Sequence, residues 1–232
     1  MITIRLRGVW HRYPDASSWA LKDISVELGS GEIILVAGHN GSGKTTLLKI
    51  AALIYRPTRG EVAVDGRGFW ILEEAEKIMV RRRITYIHEK PVLIHGSVLE
   101  NIMYPLKIRG LGREDAAMKA RMVMRELGIV DLADKSAREL SAGQSQLVAI
   151  ARALVAEPEL ILLDEPFAHL DGWKSGLVAQ ALQARRRNGV GIVIASHSRG
   201  ELPEGLEPDR IVVLEDGRIR GTRYWERRIK IS

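Results

Sequence analysis

The stretch GHNGSGKTT, Gly38–Thr46, lies directly after the apolar run EIILVA and directly before LLKIAAL. It fits the pattern G-x-x-x-x-G-K-T, with glycines at Gly38 and Gly43 and the lysine at Lys44. This pattern predicts a phosphate-binding loop, which requires a buried strand before it and a helix after it. A glycine-rich turn that only caps a helix is the alternative. The spacing and both flanks favour the phosphate-binding loop.

Each residue type in this loop has a physical reason. Glycines at 38, 41 and 43 allow backbone conformations closed to other residues, so successive N–H groups can point into one concave anion site. The helix that begins near Gly43 adds the positive end of its dipole. Lys44 is expected to reach the outer phosphates of a nucleotide, and the Thr45 hydroxyl to bind the magnesium ion that it carries. The predicted nucleotide-binding residues of the loop are Gly38, His39, Asn40, Gly41, Ser42, Gly43, Lys44, Thr45 and Thr46.

A second motif, LILLDEP at Leu160–Pro166, is an aliphatic run that ends in two carboxylates. A buried strand that delivers Asp164 and Glu165 to its carboxyl end predicts a magnesium-binding aspartate and a glutamate that orients a water molecule. A core strand that runs into an acidic helix N-cap is the alternative for this segment alone. Downstream of a phosphate-binding loop, the metal and water roles are the more consistent interpretation.

A third motif, LSAGQ at Leu140–Gln144, precedes the helical sequence VAIARALVAE. It places Ser141, Gly143 and free N–H groups at a helix start, which predicts a second anion site. A lone S-x-G before a helix is more often just a cap. Together with the motifs around it, however, this segment resembles the signature motif of ATP-binding cassette (ABC) ATPases, which is normally LSGGQ.

The resemblance covers essentially the whole chain, and it assigns further roles. Tyr13, in HRYP, matches the aromatic residue that stacks on adenine in that family. The segment FAHLD, which ends at Asp171, and His197 in ASHS follow in the family's order. His197 resembles the switch histidine that touches the terminal phosphate. The resemblance therefore implies that Lys44, Glu165 and His197 are catalytic and that Ser141, Gly143 and Gln144 bind nucleotide.

The chain departs from the family pattern at two positions. Ala142 replaces the second glycine of LSGGQ, a small change that should leave the backbone site usable. Glu89, in RITYIHEKP, stands where the family has a glutamine that senses magnesium and connects to the membrane partner. Because a carboxylate oxygen can also accept a hydrogen bond from metal-bound water, we expect Glu89 to join Thr45 and Asp164 at the metal.

Composition limits the class of protein. The 232 residues are 46% hydrophobic, which is enough for a substantial core, and cysteine is absent, so disulfides and thiolate metal sites are excluded. No apolar run approaches the roughly 18 residues of a spanning helix, and the charged N-terminus predicts no signal peptide. The net charge of +6 admits nucleic acid or an anionic membrane as a neighbour. The basic clusters are Arg81–Arg83, Arg185–Arg187 and Arg223–Lys230. Most such clusters are solvated surfaces, and we expect the same of these.

The order of the elements predicts the fold class. Strands that alternate with helices imply an α/β protein with a mainly parallel sheet and its ligand at the carboxyl ends of the strands. The strand prediction includes RRRITYIH, and the segment from about 97 to 140 is helical, starting at a capping box of Ser97 and Glu100. We expect one ABC ATPase domain over 1–232, with a P-loop NTPase core and an N-terminal antiparallel β subdomain (1–88 and 158–232). An inserted α-helical subdomain that includes the signature helix should span 89–157.

The resemblance also implies how the protein works and with what. One phosphate-binding loop and one signature motif suit a two-fold homodimer with two ATP molecules and Mg²⁺ between the subunits. ATP binding would close this dimer, and hydrolysis would reopen it. The subunit would dock onto separate permease subunits through the region near 88–110, at the cytoplasmic face of the membrane. A solute-binding protein on the other side would complete the transporter.

The function within the family stays open at this point. The chain looks most like stand-alone subunits of ABC importers, including those for oxyanions such as tungstate or molybdate. Efflux or lipoprotein-release subunits share the pattern ENIMYPLKIRG and are the second hypothesis. A soluble nucleic-acid ATPase is a third. DNA-repair members of that class insert long coiled coils and translation-associated members carry two cassettes, and neither feature occurs here, so no nucleic acid partner is expected.

Overall fold

The computed structural model describes residues 1–197 and 202–224 of the chain. Its strands are β1 (Thr3–His11), β2 (Leu21–Gly29), β3 (Ile33–Ala37), β4 (Arg59–Val64), β5 (Arg67–Gly68), β6 (Ile84–Ile87), β7 (Leu160–Asp164), β8 (Gly191–Ser196), β9 (Arg210–Glu215) and β10 (Arg218–Tyr224). Its helices are α1 (Lys44–Ala51), α2 (Glu74–Arg81), α3 (Val98–Lys107), α4 (Arg113–Glu126), α5 (Ala142–Leu154) and α6 (Gly172–Arg187).

The larger sheet carries the site and has the order β10-β9-β3-β8-β7-β6. All its pairings are parallel except that of β10 with β9. Every residue of β3 and of β7 is buried, as expected for strands covered on both faces. The predicted α/β fold with a mainly parallel sheet is therefore confirmed.

The smaller sheet is antiparallel and has the order β2-β1-β4-β5. In β1 the alternation of side chains buries Ile4 and Leu6, while Arg5 and Arg7 are exposed. The buried face joins Leu47 and other apolar residues of α1 in one hydrophobic cluster. This confirms the predicted N-terminal antiparallel subdomain and explains its position beside the phosphate-binding loop.

The helices α3, α4 and α5 pack together and share a second hydrophobic cluster with the inner strands. The helix α3 starts at the predicted capping box: Ser97 Oγ accepts from the Glu100 N–H at 3.2 Å, and Glu100 Oε2 accepts from the Ser97 N–H at 2.9 Å. The predicted α-helical part of the fold is therefore confirmed, while its bounds of 89–157 stay a prediction. No helix in the two described ranges is both long and apolar enough to cross a membrane.

The predictions for the basic clusters and for one strand need correction. Arg81 ends α2, a helix that the sequence analysis missed, so the strand predicted from RRRITYIH is only Ile84–Ile87. Arg83 does not simply face solvent: it pairs with Glu159 and with Asp65, each at 2.7 Å. Of the basic tail, residues 225–230 lie outside the described residues.

Arg185 and Arg186 also form ion pairs rather than an unpaired solvated face. Arg185 pairs with Glu126 of α4, and Arg186 pairs with Asp209 at 2.5 Å. Both pairs join the end of α6 to a neighbouring segment that is distant in sequence. Their carboxylate partners could not be read from the arginine run itself.

Candidate active site

A cavity of about 510 Å³ opens at the carboxyl ends of the parallel strands β3, β6, β7 and β8. That is the edge where open α/β sheets bind their ligands. The cavity lies within the roughly 300–1,000 Å³ typical of small-molecule sites. Its lining residues are Tyr13, Ala20, Asn40, Gly41, Gly43, Lys44, Thr45, Thr46, Glu89, Asp164, Glu165, Ala168 and His197.

Glycine is required at both ends of the loop between β3 and α1. A Cβ at Gly38 would lie 2.2 Å from the carbonyl oxygen of Leu214, which is far closer than atoms can approach. At Gly43 the backbone is left-handed, with φ of 106°, and a Cβ would lie 2.6 Å from the carbonyl oxygen of Ala20. Gly38 and Ser42 do not line the cavity, because Ser42 is fully buried beside Gly38. Gly38 and Ser42 therefore pack behind the loop and support its conformation, without facing the cavity.

His39 is another predicted loop residue that turns away from the cavity. Its Nδ1 lies 2.7 Å from the carbonyl oxygen of Asn40, and its Nε2 lies 3.6 Å from Oδ1 of Asp216. The side chain is more than half exposed. A contact of His39 with nucleotide would therefore have to come from its backbone.

Lys44, the first residue of α1, holds its ammonium group inside the loop. Its Nζ donates to the carbonyl oxygens of Gly38 at 2.8 Å and His39 at 3.2 Å, and lies 3.9 Å from Oε1 of Glu165. Only 7% of the side chain is exposed. A buried cation with no closer carboxylate is well suited to bind anionic oxygens that enter the cavity.

Asp164 ends β7 and is 1% exposed. Its Oδ2 accepts a hydrogen bond from the hydroxyl of Tyr86 at 3.1 Å. Burial raises the pKa of Tyr86, and the nearby Asp164 charge adds to this rise, so the phenol keeps its proton and is the donor. The sequence analysis missed Tyr86, since no motif marks a contact between neighbouring strands 78 residues apart.

The residues at this end of the cavity fit a magnesium ion. Mg²⁺ is usually held by one or two carboxylates together with substrate phosphates, not by an all-protein cage. Asp164 and Thr45 line the same cavity as Lys44, and no lysine, arginine or histidine of the described chain lies within 4.0 Å of the Asp164 carboxylate. A buried carboxylate without a cationic partner is suited to a metal ion.

Glu165 and His197 form a pair at the cavity wall. Nδ1 of His197 lies 2.9 Å from Oε2 of Glu165. The backbone of Glu165 is left-handed, with φ of 46°, and its N–H donates to the carbonyl oxygen of Ala195 in β8 at 3.0 Å. A base held in place by a second group is the arrangement needed to activate a water molecule.

Tyr13 stands at another part of the cavity, fixed by an aromatic cluster. Its hydroxyl lies 3.0 Å from Oγ1 of Thr46. Its ring makes edge contacts with His11 and Tyr55, at centroid distances of 5.2 and 5.9 Å. The structure thus brings Tyr13 to the cavity with a defined ring orientation, while its contact with adenine stays a prediction.

Glu89 follows β6 and lines the cavity, as the sequence analysis expected for its position. The side chain is half-buried. Within the described residues, its carboxylate makes no hydrogen bond and no ion pair. Glu89 is therefore available to an incoming ion or water molecule.

The signature residues do not line the cavity of their own chain. Ser141 caps α5: its Oγ accepts from the Gln144 N–H at 3.3 Å, and Gln144 Oε1 accepts from the Ser141 N–H at 3.0 Å. A Cβ at Gly143 would lie 2.4 Å from the carbonyl oxygen of His169, so this turn requires glycine. Within one chain, the segment is a helix cap outside the cavity, and its contact with nucleotide stays a prediction.

Comparison with protein families and solved structures agrees with this geometry. A family model described as "ABC transporter" matches residues 21–168. The fold is similar to the structure titled "Dimeric structure of a post-hydrolysis state of the ATP-binding cassette MJ0796 bound to ADP and Pi". The TM-score is 0.87 at 29% identity, and the match covers 95% of this chain and 98% of the other.

Several curated proteins are similar in sequence. A "Probable anion import ATP-binding protein" of Haloferax volcanii is 37% identical, with 82% of this chain and 70% of the relative covered. A "Molybdate/tungstate import ATP-binding protein WtpC" of Pyrococcus horikoshii is 38% identical, with 88% of this chain and 58% of the relative covered. A "Lipoprotein-releasing system ATP-binding protein LolD 2" of Caulobacter vibrioides is also 38% identical, with 86% and 87% covered.

Proposed function

This chain belongs to the ABC transporter family of ATPases, and we propose that it hydrolyses MgATP to power import of an inorganic oxyanion through separate membrane subunits. The observation that carries the proposal is that Lys44, Asp164 and the Glu165–His197 pair line the same cavity. The similarity to an anion import protein supports the substrate class.

Each residue in the cavity has a chemical role in this proposal. The loop N–H groups and Lys44 bind the outer phosphates of ATP, and Thr45 and Asp164 hold the magnesium ion, which would neutralise charge on the phosphates when bound. Glu165 accepts hydrogen bonds from the attacking water and aligns it. His197 holds the Glu165 carboxylate through their contact at 2.9 Å. It would also contact the terminal phosphate of ATP.

The active form is a two-fold homodimer in this proposal. Ser141 is exposed and lies outside the cavity of its own chain, so it can serve a nucleotide only in another copy. In a two-fold interface each signature motif can face the other chain's phosphate-binding loop. The dimeric form of the similar solved structure supports this arrangement.

The permease partner is assigned to a groove of about 890 Å³ that includes much of the region 88–110. Among its lining residues are six basic side chains and no carboxylate: Arg81, Arg82, His88, Lys90, Arg109 and Arg152. Arg109 and Arg152 donate to backbone carbonyls, and none of the five arginine and lysine side chains forms an ion pair within the described chain. A permease segment with exposed carboxylates would complement this groove.

The membrane location follows from this docking. The subunit would lie at the cytoplasmic face, bound to permease subunits, and a solute-binding protein on the opposite face would deliver the oxyanion. Release of lipoproteins is the second candidate, since the similarity to the lipoprotein-releasing relative extends over 87% of that protein. The two candidates differ in substrate class and in the direction of transport.

Transport into sealed vesicles would test the proposal. The subunit is reconstituted with the permease and the binding protein that are encoded beside its own gene. Uptake of molybdate, tungstate or phosphate is then measured with MgATP. We expect uptake with the parent chain and its loss with Glu165→Gln. Two results together would favour the second candidate: ATP hydrolysis that is not stimulated by any oxyanion with the binding protein, and ATP-dependent release of a lipoprotein.

A further inference from the structure

Tyr86 is the residue that touches both of the sites described above. It lies in β6, where it is paired in register with Leu162 of the neighbouring strand β7. Tyr86 is among the residues that line the proposed permease groove, and its hydroxyl donates to Oδ2 of Asp164 at 3.1 Å. One residue therefore connects the lining of the groove to Asp164, which lines the cavity.

The hydrogen bond matters for Asp164 because that carboxylate is almost fully buried. Among the described residues, Tyr86 provides the one side-chain hydrogen bond to Asp164. When one oxygen of a carboxylate is fixed by a hydrogen bond, the group cannot rotate freely, so its other oxygen keeps one direction. Partners that orient a metal ligand typically affect metal affinity or activity by roughly 10- to 100-fold.

We propose that Tyr86 is a positioning residue that orients the Asp164 carboxylate for magnesium and makes this orientation depend on what occupies the groove. The inference rests on the proposed function, because it takes the groove to be the permease site and Asp164 to be the metal ligand. It adds the physical link by which a docked segment acts on the metal site.

The groove side of the link is formed by His88. Its ring makes an edge contact with the Tyr86 ring at a centroid distance of 6.1 Å, and its Nδ1 accepts a hydrogen bond from the Lys90 N–H at 3.0 Å. A segment in the groove would meet both residues, since both line it. Because the hydroxyl bond is already 3.1 Å long, a ring displacement of about 0.5 Å would lengthen it beyond hydrogen-bonding distance.

Tyr86→Phe tests the positioning role, because it keeps the ring and removes only the hydroxyl. The measurement is the magnesium dependence of ATP binding by calorimetry in a Glu165→Gln background, where hydrolysis does not interfere. We expect the magnesium concentration at half-maximal effect to rise about 10-fold, while ATP binding in EDTA stays unchanged. Tyr224→Phe, at an exposed tyrosine of β10, is the matched control and should change neither value.

A bulky label in the groove tests the coupling. The chain has no native cysteine, so Val92→Cys gives a single reactive thiol at an exposed residue that lines the groove. In the Glu165→Gln protein, its reaction with pyrenyl maleimide should raise the magnesium requirement at least threefold. In the Tyr86→Phe double variant the same label should add nothing, because the bond through which it acts is gone.

The outcomes separate this inference from the proposed function. An unchanged magnesium requirement in Tyr86→Phe would overturn the positioning role. A label that has no effect, or has an equal effect with and without the Tyr86 hydroxyl, would overturn the coupling. Failure of the proposed function itself would appear differently, as an unlabelled protein with native Tyr86 that supports no oxyanion uptake into vesicles or binds no ATP at any magnesium concentration.

Discussion

The requirement for glycine at position 38 leads to a quantitative prediction. In Gly38→Ala, the new Cβ would start 2.2 Å from the Leu214 carbonyl oxygen and 2.6 Å from Ser42 Oγ. Ordinary contact begins at 3.4 Å, so β3 and β9 must separate by about 1 Å at the base of the loop. Overpacking of this kind costs roughly 1–3 kcal/mol, and each backbone hydrogen bond lost adds about 1 kcal/mol. We expect a total loss of about 3 kcal/mol in the free energy of unfolding.

Gly41→Ala is the matched control, because its Cβ would meet no atom within 4 Å. Its cost is confined to the left-handed backbone, with φ of 79°, and should be about 1–2 kcal/mol. Urea denaturation gives both stabilities, and calorimetry gives ATP affinity. We expect at least a 10-fold loss of affinity for Gly38→Ala and a change of only a few-fold for Gly41→Ala. Equal stabilities, or normal ATP binding by Gly38→Ala, would refute the steric argument.

Three further predictions concern the cavity. Glu165→Gln should keep MgATP binding, slow turnover by roughly 100-fold or more and trap a dimer visible by light scattering, and hydrolysis at the parent rate would remove Glu165 from the mechanism. Tyr13→Ala should weaken ATP binding by about 1 kcal/mol but leave inorganic triphosphate binding unchanged. Tyr13→Phe, which loses only the contact with Thr46, should bind ATP nearly as the parent does. A loss as large as that of Tyr13→Ala would show that the hydroxyl matters more than the ring. Glu89→Gln should keep hydrolysis within several-fold and mainly weaken its magnesium dependence, and Glu89→Ala should cost much more. Identical magnesium curves for parent and both Glu89 variants would mean that Glu89 has no role at the metal.

The sequence predicted elements best where local signals and burial agree. The helix α6 has the bounds expected from GWKSGLVAQALQARRR, because Asp171 caps it by accepting from the Lys174 N–H at 2.9 Å. The helix α2 was missed because it has only eight residues, none of them buried, and begins at a glutamate. Glutamate is not among the usual N-cap residues, although Glu73 and Glu76 form a capping box here. Because α2 extends to Arg81, β6 begins at Ile84 and not at Arg81 as predicted.

The site was predictable where a motif fixes the residues within one segment. The phosphate-binding loop, Asp164 and Glu165 were placed at one edge because parallel strands end there. His197 and Glu89 were assigned by the family resemblance, and both line the same cavity. Tyr86 carried no such signal, since its role depends on the register between β6 and β7. The cap formed by Ser141 and Gln144 bears out the cap interpretation of LSAGQ, while the anion site stays a prediction.

The bonds of Lys44 to its own loop have a consequence for ligand selectivity. The ammonium group already has two carbonyl acceptors, from Gly38 and His39, so the loop holds its shape before any ligand arrives. Little ordering entropy is then lost on binding. The ammonium group has three N–H donors, so one stays free for a ligand. A neutral acceptor would form one hydrogen bond there, whereas an anionic oxygen also gains the attraction between opposite charges in a buried site. We therefore expect the loop to favour polyphosphates over nucleosides, which carry no anionic oxygens.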